Sequence, residues 1–181
     1  QVNYLNSLKF SGNYLLTFIN EILEINRIES ENIEIEYTNF NLKVLLFNIQ
    51  SSLKELANIN NNTFILDIDE KIPDVIIGDP TKLSQIFMNL INNALKFTKN
   101  GEVRVIAELF GINEGKATIH FEIIDNGIGI PIEKQQTIFD SFSQGSIEIN
   151  RKYGGTGLGL TIVKKLIELL GGEIELVSEV N

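Results

Sequence analysis

The stretch Asn89-Leu90-Ile91-Asn92-Asn93-Ala94-Leu95-Lys96-Phe97-Thr98 carries two patterns at once. Leu90, Ile91, Ala94 and Leu95 repeat at helical spacing, while Asn89, Asn93 and Lys96 follow one another along a second face. The spacing predicts a helix with one buried side and a stripe of two amides and an ammonium. Its start is marked by Asp79-Pro80, because Asp caps free amides and Pro suits a first turn. Leu83, Ile86 and Phe87 extend the buried side. Amide oxygens with retained water suit Mg²⁺, and a lysine is a point charge for phosphate. The same residues would also make an ordinary solvated stripe, so these positions alone leave the choice open.

Two later segments narrow it. Asp125-Asn126-Gly127-Ile128-Gly129-Ile130 closes an apolar strand with a carboxylate able to accept from an exocyclic amine, and with glycines whose backbone can approach a flat ring. Read alone, it is equally an Asp-Asn-Gly turn. Tyr153-Gly154-Gly155-Thr156-Gly157-Leu158-Gly159-Leu160 precedes a predicted helix, whose free amides can hold phosphate oxygens. It has no Gly-Lys-Ser/Thr ending of the Walker kind and lacks the early strand-turn-helix placement of a dinucleotide fingerprint. Metal-side amides, a base-edge carboxylate and a phosphate-side glycine run together describe a nucleotide pocket.

The whole chain sets limits on that pocket. Its 181 residues, 43% hydrophobic and 22% charged, suit one folded domain with an added element. With no cysteine it has no disulfide framework, thiolate metal site or cysteine nucleophile. No apolar run approaches the roughly 20 residues that cross a bilayer, and no basic-then-apolar leader opens the sequence. The expectation is a cytoplasmic piece without direct membrane contact, the anchoring of any parent protein being left open. The net charge of −9 argues against nucleic acid as a partner. It also requires a triphosphate site to concentrate positive potential locally, through a metal, a few basic side chains and helix N-termini.

Residues 1–28 are expected to form one helix, since Leu5, Leu8, Gly12, Leu15, Ile19, Ile22 and Asn26 recur at spacings of three and four, with Leu16, Phe18, Leu23 and Ile25 widening the apolar surface. So broad a face needs partners, and the absence of an N-cap signal suggests a piece of a longer helical bundle. Strands are expected at 33–37, 63–68, 102–110, 116–124 and 173–177, and further helices at 41–58 and 157–170. Residues 127–155 read as a long functional loop with a short Phe-containing helical turn.

The segments, in this order, resemble the catalytic ATP-binding domain of sensor histidine kinases, within the gyrase, chaperone, kinase and mismatch-repair ATPase superfamily. Asn89 to Thr98 resembles the N box, Asp125 to Ile130 the first glycine box, Ile138-Phe139-Asp140-Ser141-Phe142 the F box, and Gly154 to Leu160 the second glycine box. Gly78-Asp79 with Leu83, Gln85 and Ile86, and Gly171-Gly172-Glu173-Ile174, are also similar. Ile22 to Glu29 resembles the second helix of the dimerisation and phosphotransfer hairpin, in the style of hybrid kinases.

The resemblance implies an α+β fold, a two-layer α/β sandwich of the Bergerat ATP-binding type, its mixed sheet covered by helices on one face and preceded by a long N-terminal helix. Residues 1–30 would be a partial dimerisation and phosphotransfer helix, and 31–181 the catalytic ATP-binding domain without its usual final strand. Asn93 would ligate Mg²⁺, with Asn89, Lys96 and Phe97 along the nucleotide and Asp125 accepting from the adenine amine, beside Gly127, Gly129 and Ile130. Residues 130–155 would form a lid anchored by Phe139 and Phe142. Arg151 and Lys152 are the candidates for the γ-phosphate, since Gln144 stands where a basic residue is often found. Gly155, Thr156, Gly157, Leu158, Gly159 and Leu160 would hold the phosphates.

The implied activity is transfer of the ATP γ-phosphoryl to a histidine on a helix absent from this chain, with ATP and Mg²⁺ as cofactors. Implied partners are the acceptor helix of the parent kinase, a response regulator or receiver domain, and a second copy through the N-terminal helix. No catalytic residue is assigned within the chain itself. His120, the single histidine, sits mid-strand and is read as structural or surface. An ATPase of the chaperone or topoisomerase branch would need a carboxylate to activate water, where this chain offers Asn89. A degenerate module that binds ATP or docks and transfers nothing is the remaining alternative.

Overall fold

A computed structural model describes residues 2–30, 34–141 and 156–180. The chain runs α1 (Val2–Glu29), β1 (Thr38–Phe40), α2 (Leu42–Ile59), β2 (Thr63–Ile68), β3 (Ile76–Gly78), α3 (Pro80–Phe97), β4 (Glu102–Asn113), β5 (Lys116–Asp125), α4 (Ile132–Gln135) and α5 (Gly159–Leu169). It divides into two compact units, Gln1–Glu34 with Thr137–Ile174, and Ile35–Gln136 with Glu175–Asn181.

In the second unit, both long helices start where a side chain replaces a missing backbone acceptor. Asn41 caps α2 by accepting the Val44 amide at 2.9 Å, and Asp79 caps α3 through the Lys82 amide at 2.9 Å. Leu42, Leu46, Ile49, Leu53 and Ala57 form the buried stripe of α2, and Ile86, Phe87, Ile91, Ala94 and Leu95 that of α3. Between them and the solvent lies a sheet of order β2-β4-β5, parallel at β2/β4 and antiparallel at β4/β5. Val103, Val105 and Ala107 point into the helical layer with no exposed surface, while Arg104 points outward to Asp67 Oδ2 at 2.7 Å and Glu102 Oε1 at 3.0 Å. The mixed sheet with helices on one face is the architecture expected.

Several elements differ from the sequence reading. The strand expected at 33–37 is displaced to Thr38–Phe40, where it pairs antiparallel with β3; Ile33 lies outside the described residues. Backbone pairing with Gly78, Ile77 and Ile76 decides that position, a long-range partner that local alternation does not contain. Residues 172–180 form no regular strand, contrary to the expectation for 173–177. The F-box segment turns at 136–141, just after the short α4, with Asp140 N–H donating to Thr137 O at 2.9 Å.

In the first unit α5 packs against α1. Leu158, Ile162, Val163 and Leu166 are buried, as is Ile25 of α1. Much of the apolar surface predicted for α1 remains exposed, including Leu8, Leu15, Leu16, Ile19 and Leu23. Compactness groups α5 with α1.

Candidate functional site

The C-terminal end of α3 is held by a segment that reads in sequence as no more than a polar helix end. Asn62, 8% exposed, donates from Nδ2 to Leu95 O at 3.0 Å and Thr98 O at 2.9 Å, and accepts from Gly101 N–H at 3.1 Å. Asn60 Nδ2 adds a bond to Leu95 O at 3.1 Å. These amides satisfy carbonyls that the helix end leaves without partners. Nothing local in Asn60-Asn61-Asn62 points to α3.

Thr98 then links this end to the strand. Fully buried, it directs its hydroxyl at Asp125 Oδ1 at 3.4 Å, and the same oxygen accepts the Gly127 N–H at 2.9 Å. Asp125 Oδ2 has no hydrogen bond among the described residues and lies on an exposed residue. Gly127 is required by space: a Cβ there would come within 2.7 Å of both Asp125 Oδ1 and Phe97 O. Gly129 is required by conformation and space together, with φ +66 and a phantom Cβ overlapping Glu179 O. The close approach these glycines permit within the protein is therefore to backbone and to Asp125 itself. Ile130 N–H donates to Ser178 Oγ at 2.9 Å, and Gln135 Nε2 donates to Ile130 O at 2.7 Å and Ser178 O at 2.8 Å. Ser178 is a positioning contact that the sequence did not suggest.

Asn89, Asn93 and Lys96 are all half-buried, four and three residues apart along α3. The side-chain amides of Asn89 and Asn93 have no hydrogen-bond partner among the described residues. Burial holds the Lys96 ammonium below its ordinary pKa, with Nζ 5.0 Å from the centre of the Phe97 ring. No group of three or more His, Cys, Asp or Glu suited to a metal occurs among the described residues. An uncommitted Asn93 oxygen fits a cation that takes the rest of its shell from water and phosphate, as Mg²⁺ does, and not one caged by carboxylates.

In the first unit, the Thr156 hydroxyl, 8% exposed, donates to Glu21 Oε2 of α1 and accepts the Leu158 N–H at 3.3 Å. Gly157 takes φ +76, and α5 begins at Gly159, so Leu160 lies in its first turn. Thr161 Oγ1 is buried beside that helix start with no hydrogen-bond partner among the described residues. Phe139 is half-buried in the turn after α4. Phe142, Arg151, Lys152 and Gly155, with most of the expected lid, lie outside the described residues.

His120 lies on the outer sheet face. It stacks on Phe110 with ring centres 4.8 Å apart, and its Nε2 is 3.1 Å from Glu122 Oε1. Asp125 is five residues further along β5 and on the opposite face, so about 17 Å separates them at about 3.4 Å per residue.

Residues 78–181 match the family described as histidine kinase-, DNA gyrase B-, and HSP90-like ATPase. All of the chain aligns at 37% identity with the signal transduction histidine-protein kinase BarA of Escherichia coli, of which it spans 20%. Hybrid signal transduction histidine kinase K of Dictyostelium discoideum is 38% identical over 93% of the chain, which covers 14% of that protein. Among solved structures, full-length ShkA in complex with AMPPNP superposes with a TM-score of 0.79 at 29% identity, covering 94% of this chain and 34% of that one. The histidine kinase ThkA in complex with the response regulator TrrA superposes at 0.67 and 25% identity, covering 93% of this chain and 44% of that one. No described helix is long and apolar enough to cross a membrane.

Proposed function

The chain belongs to the histidine kinase-, DNA gyrase B-, and HSP90-like ATPase family, and we propose that it is the ATP-binding catalytic portion of a hybrid sensor histidine kinase, passing the γ-phosphoryl of ATP to a histidine on an acceptor helix supplied by its parent protein. One observation carries the reading: Asp125 is anchored through Oδ1 by Thr98 and Gly127, leaving Oδ2 uncommitted beside glycines that admit no side chain. That is the chemistry to accept the adenine amine.

Asn93 holds Mg²⁺ in this reading, and the ion neutralises phosphate charge that the protein's net −9 would otherwise repel. Asn89 and Lys96 lie along the phosphates, with Phe97 packed under the Lys96 stem. Thr156 to Leu160 are assigned to the phosphates by resemblance, with the Leu158 N–H already donated to the Thr156 hydroxyl. Gly155, Arg151 and Lys152 are assigned by resemblance alone. The protein's contribution is positioning and charge, as an acceptor nitrogen bonds to the γ-phosphorus while the bond to the bridging β,γ-oxygen breaks. The acceptor's proton leaves to a base outside this chain.

Asn89, where the chaperone and topoisomerase branch needs a carboxylate, disfavours water activation. α1 is assigned to the phosphotransfer hairpin, with a second copy, the acceptor helix and a response regulator or receiver domain as partners. The test is labelled ATP with Mg²⁺ and an added hairpin from the parent bearing the acceptor histidine. Acid-labile label on the hairpin is expected, and nucleotide binding without transfer would leave a binding module.

A further inference from the structure

We propose that Asp79 is a positioning residue for phosphoryl transfer, starting α3 with one carboxylate oxygen while the other fastens the linker that leads from α1 into the second unit. The proposal rests on the phosphotransfer reading above. Oδ1 accepts the Lys82 N–H at 2.9 Å, which is the helix cap. Oδ2 accepts the backbone N–H of Glu36 at 3.1 Å, from 43 residues earlier in the chain. Asp79 is 2% exposed, so its carboxylate is largely withdrawn from water while both bonds are part-buried.

The β1/β3 ladder explains why a side chain does this work. Thr38 pairs with Gly78 and Asn39 with Ile77 in antiparallel register, so continuing the register sets Glu36 opposite Pro80. Pro80 already begins α3, and its carbonyl belongs to the helix's first turn. The ladder therefore cannot accept the Glu36 N–H, and Asp79 Oδ2 takes it. The linker is pinned at the N-terminal end of the helix that carries Asn89 and Asn93. Glu36 stands two residues beyond Glu34, where the first unit's N-terminal segment ends. Pinning Glu36 removes backbone freedom from the linker, and transfer needs its reacting groups held in line.

A helix cap alone would explain Oδ1 and not Oδ2, and two substitutions separate the roles. Asp79→Asn keeps a good cap, since Asn accepts the Lys82 N–H equally well, but its amide nitrogen cannot accept from Glu36. Glu36→Pro deletes the donor and leaves Asp79 untouched. The measurements are amide exchange at Glu36 by NMR, ATP affinity, and single-turnover transfer to the added acceptor hairpin at saturating ATP.

In Asp79→Asn, exchange at Glu36 is expected to rise about tenfold, the scale of one lost hydrogen bond. ATP affinity should stay within about twofold while transfer slows at least about fivefold, a split that a folding defect does not give. Glu36→Pro should slow transfer alike, and the double variant should be no slower than either single one. Unchanged exchange, unchanged transfer, or a parallel loss of ATP affinity in Asp79→Asn each overturns the proposal. A wild-type chain that binds ATP yet never labels the hairpin overturns the phosphotransfer reading and this role with it, whatever the Glu36 amide does.

Discussion

The Thr98 hydroxyl donates to Asp125 Oδ1 across 3.4 Å, joining the residue that caps the end of α3 to the last residue of β5. Asn62 holds the same Thr98 through its carbonyl at 2.9 Å. A helix end, a strand end and the turn before β2 thus share one hydrogen-bonded junction, and the uncommitted oxygen of Asp125 is aimed by it.

Asp125→Asn is expected to weaken ATP binding by about 1.5–3 kcal/mol, the range for a hydrogen bond to a charged group, or about 10- to 150-fold. The Asn side chain has a single acceptor oxygen, which Thr98 and Gly127 would claim, leaving an NH₂ to meet the adenine amine. Calorimetry on the folded variant measures this, and wild-type affinity would remove Asp125 from the base site.

Asn93→Ala should cut ATP affinity in Mg²⁺ by about tenfold or more, the scale of one lost ligand contact, while leaving adenosine binding and stability nearly unchanged. The comparison is titration with and without Mg²⁺. An equal effect in both buffers assigns the residue to something other than the metal.

Asn62→Ala orphans the carbonyl of Thr98 and the amide of Gly101 in a buried site. Each such group costs about 1–3 kcal/mol, so the loss in urea unfolding should exceed the roughly 0.5 kcal/mol of an ordinary surface change. A loss no larger than that would mean water replaces the amide at no cost.

Burial raises the Glu21 carboxyl above its ordinary value of 4.5, with the Thr156 hydrogen bond opposing the rise and Glu24 adding to it. The folded state then binds this proton more tightly than the unfolded state does. The resulting stabilisation is fully present below pH 4.5 and is lost as pH rises through the folded value. Glu21→Gln keeps an acceptor for Thr156 and removes the titration, so any stability advantage of the variant near neutral pH should shrink toward pH 4.5. Unfolding curves of both proteins across that window decide it; a constant difference contradicts the assignment.

His120→Gln should change neither ATP binding nor transfer to an added hairpin, and the chain alone should carry no acid-labile label. Its distance of about 17 Å along β5 from Asp125 and its opposite face stand against in-line transfer, which needs reacting atoms about 3–3.5 Å apart. Label on the isolated chain that vanishes in the variant would make His120 an acceptor.

The periodicity of residues 80–97 announced an amphipathic helix and its polar stripe, Asp79-Pro80 announced where it starts, and the glycine segments with Asp125 announced a nucleotide site, because spacing, capping and turn chemistry are local and survive in one dimension. What tertiary structure decided were the pairings between distant segments: β1 taking its register from β3 instead of from its own alternation, Asn62 closing the end of α3, and Asp79 catching the amide of Glu36. An Asn in a polar run and an Asp at a helix start look alike whether or not a second partner awaits, since that partner is chosen by the folded chain and buried groups must find one. For the same reason Gly129 could be read as freedom for a ligand, while the fold assigns its missing Cβ to the backbone of Glu179.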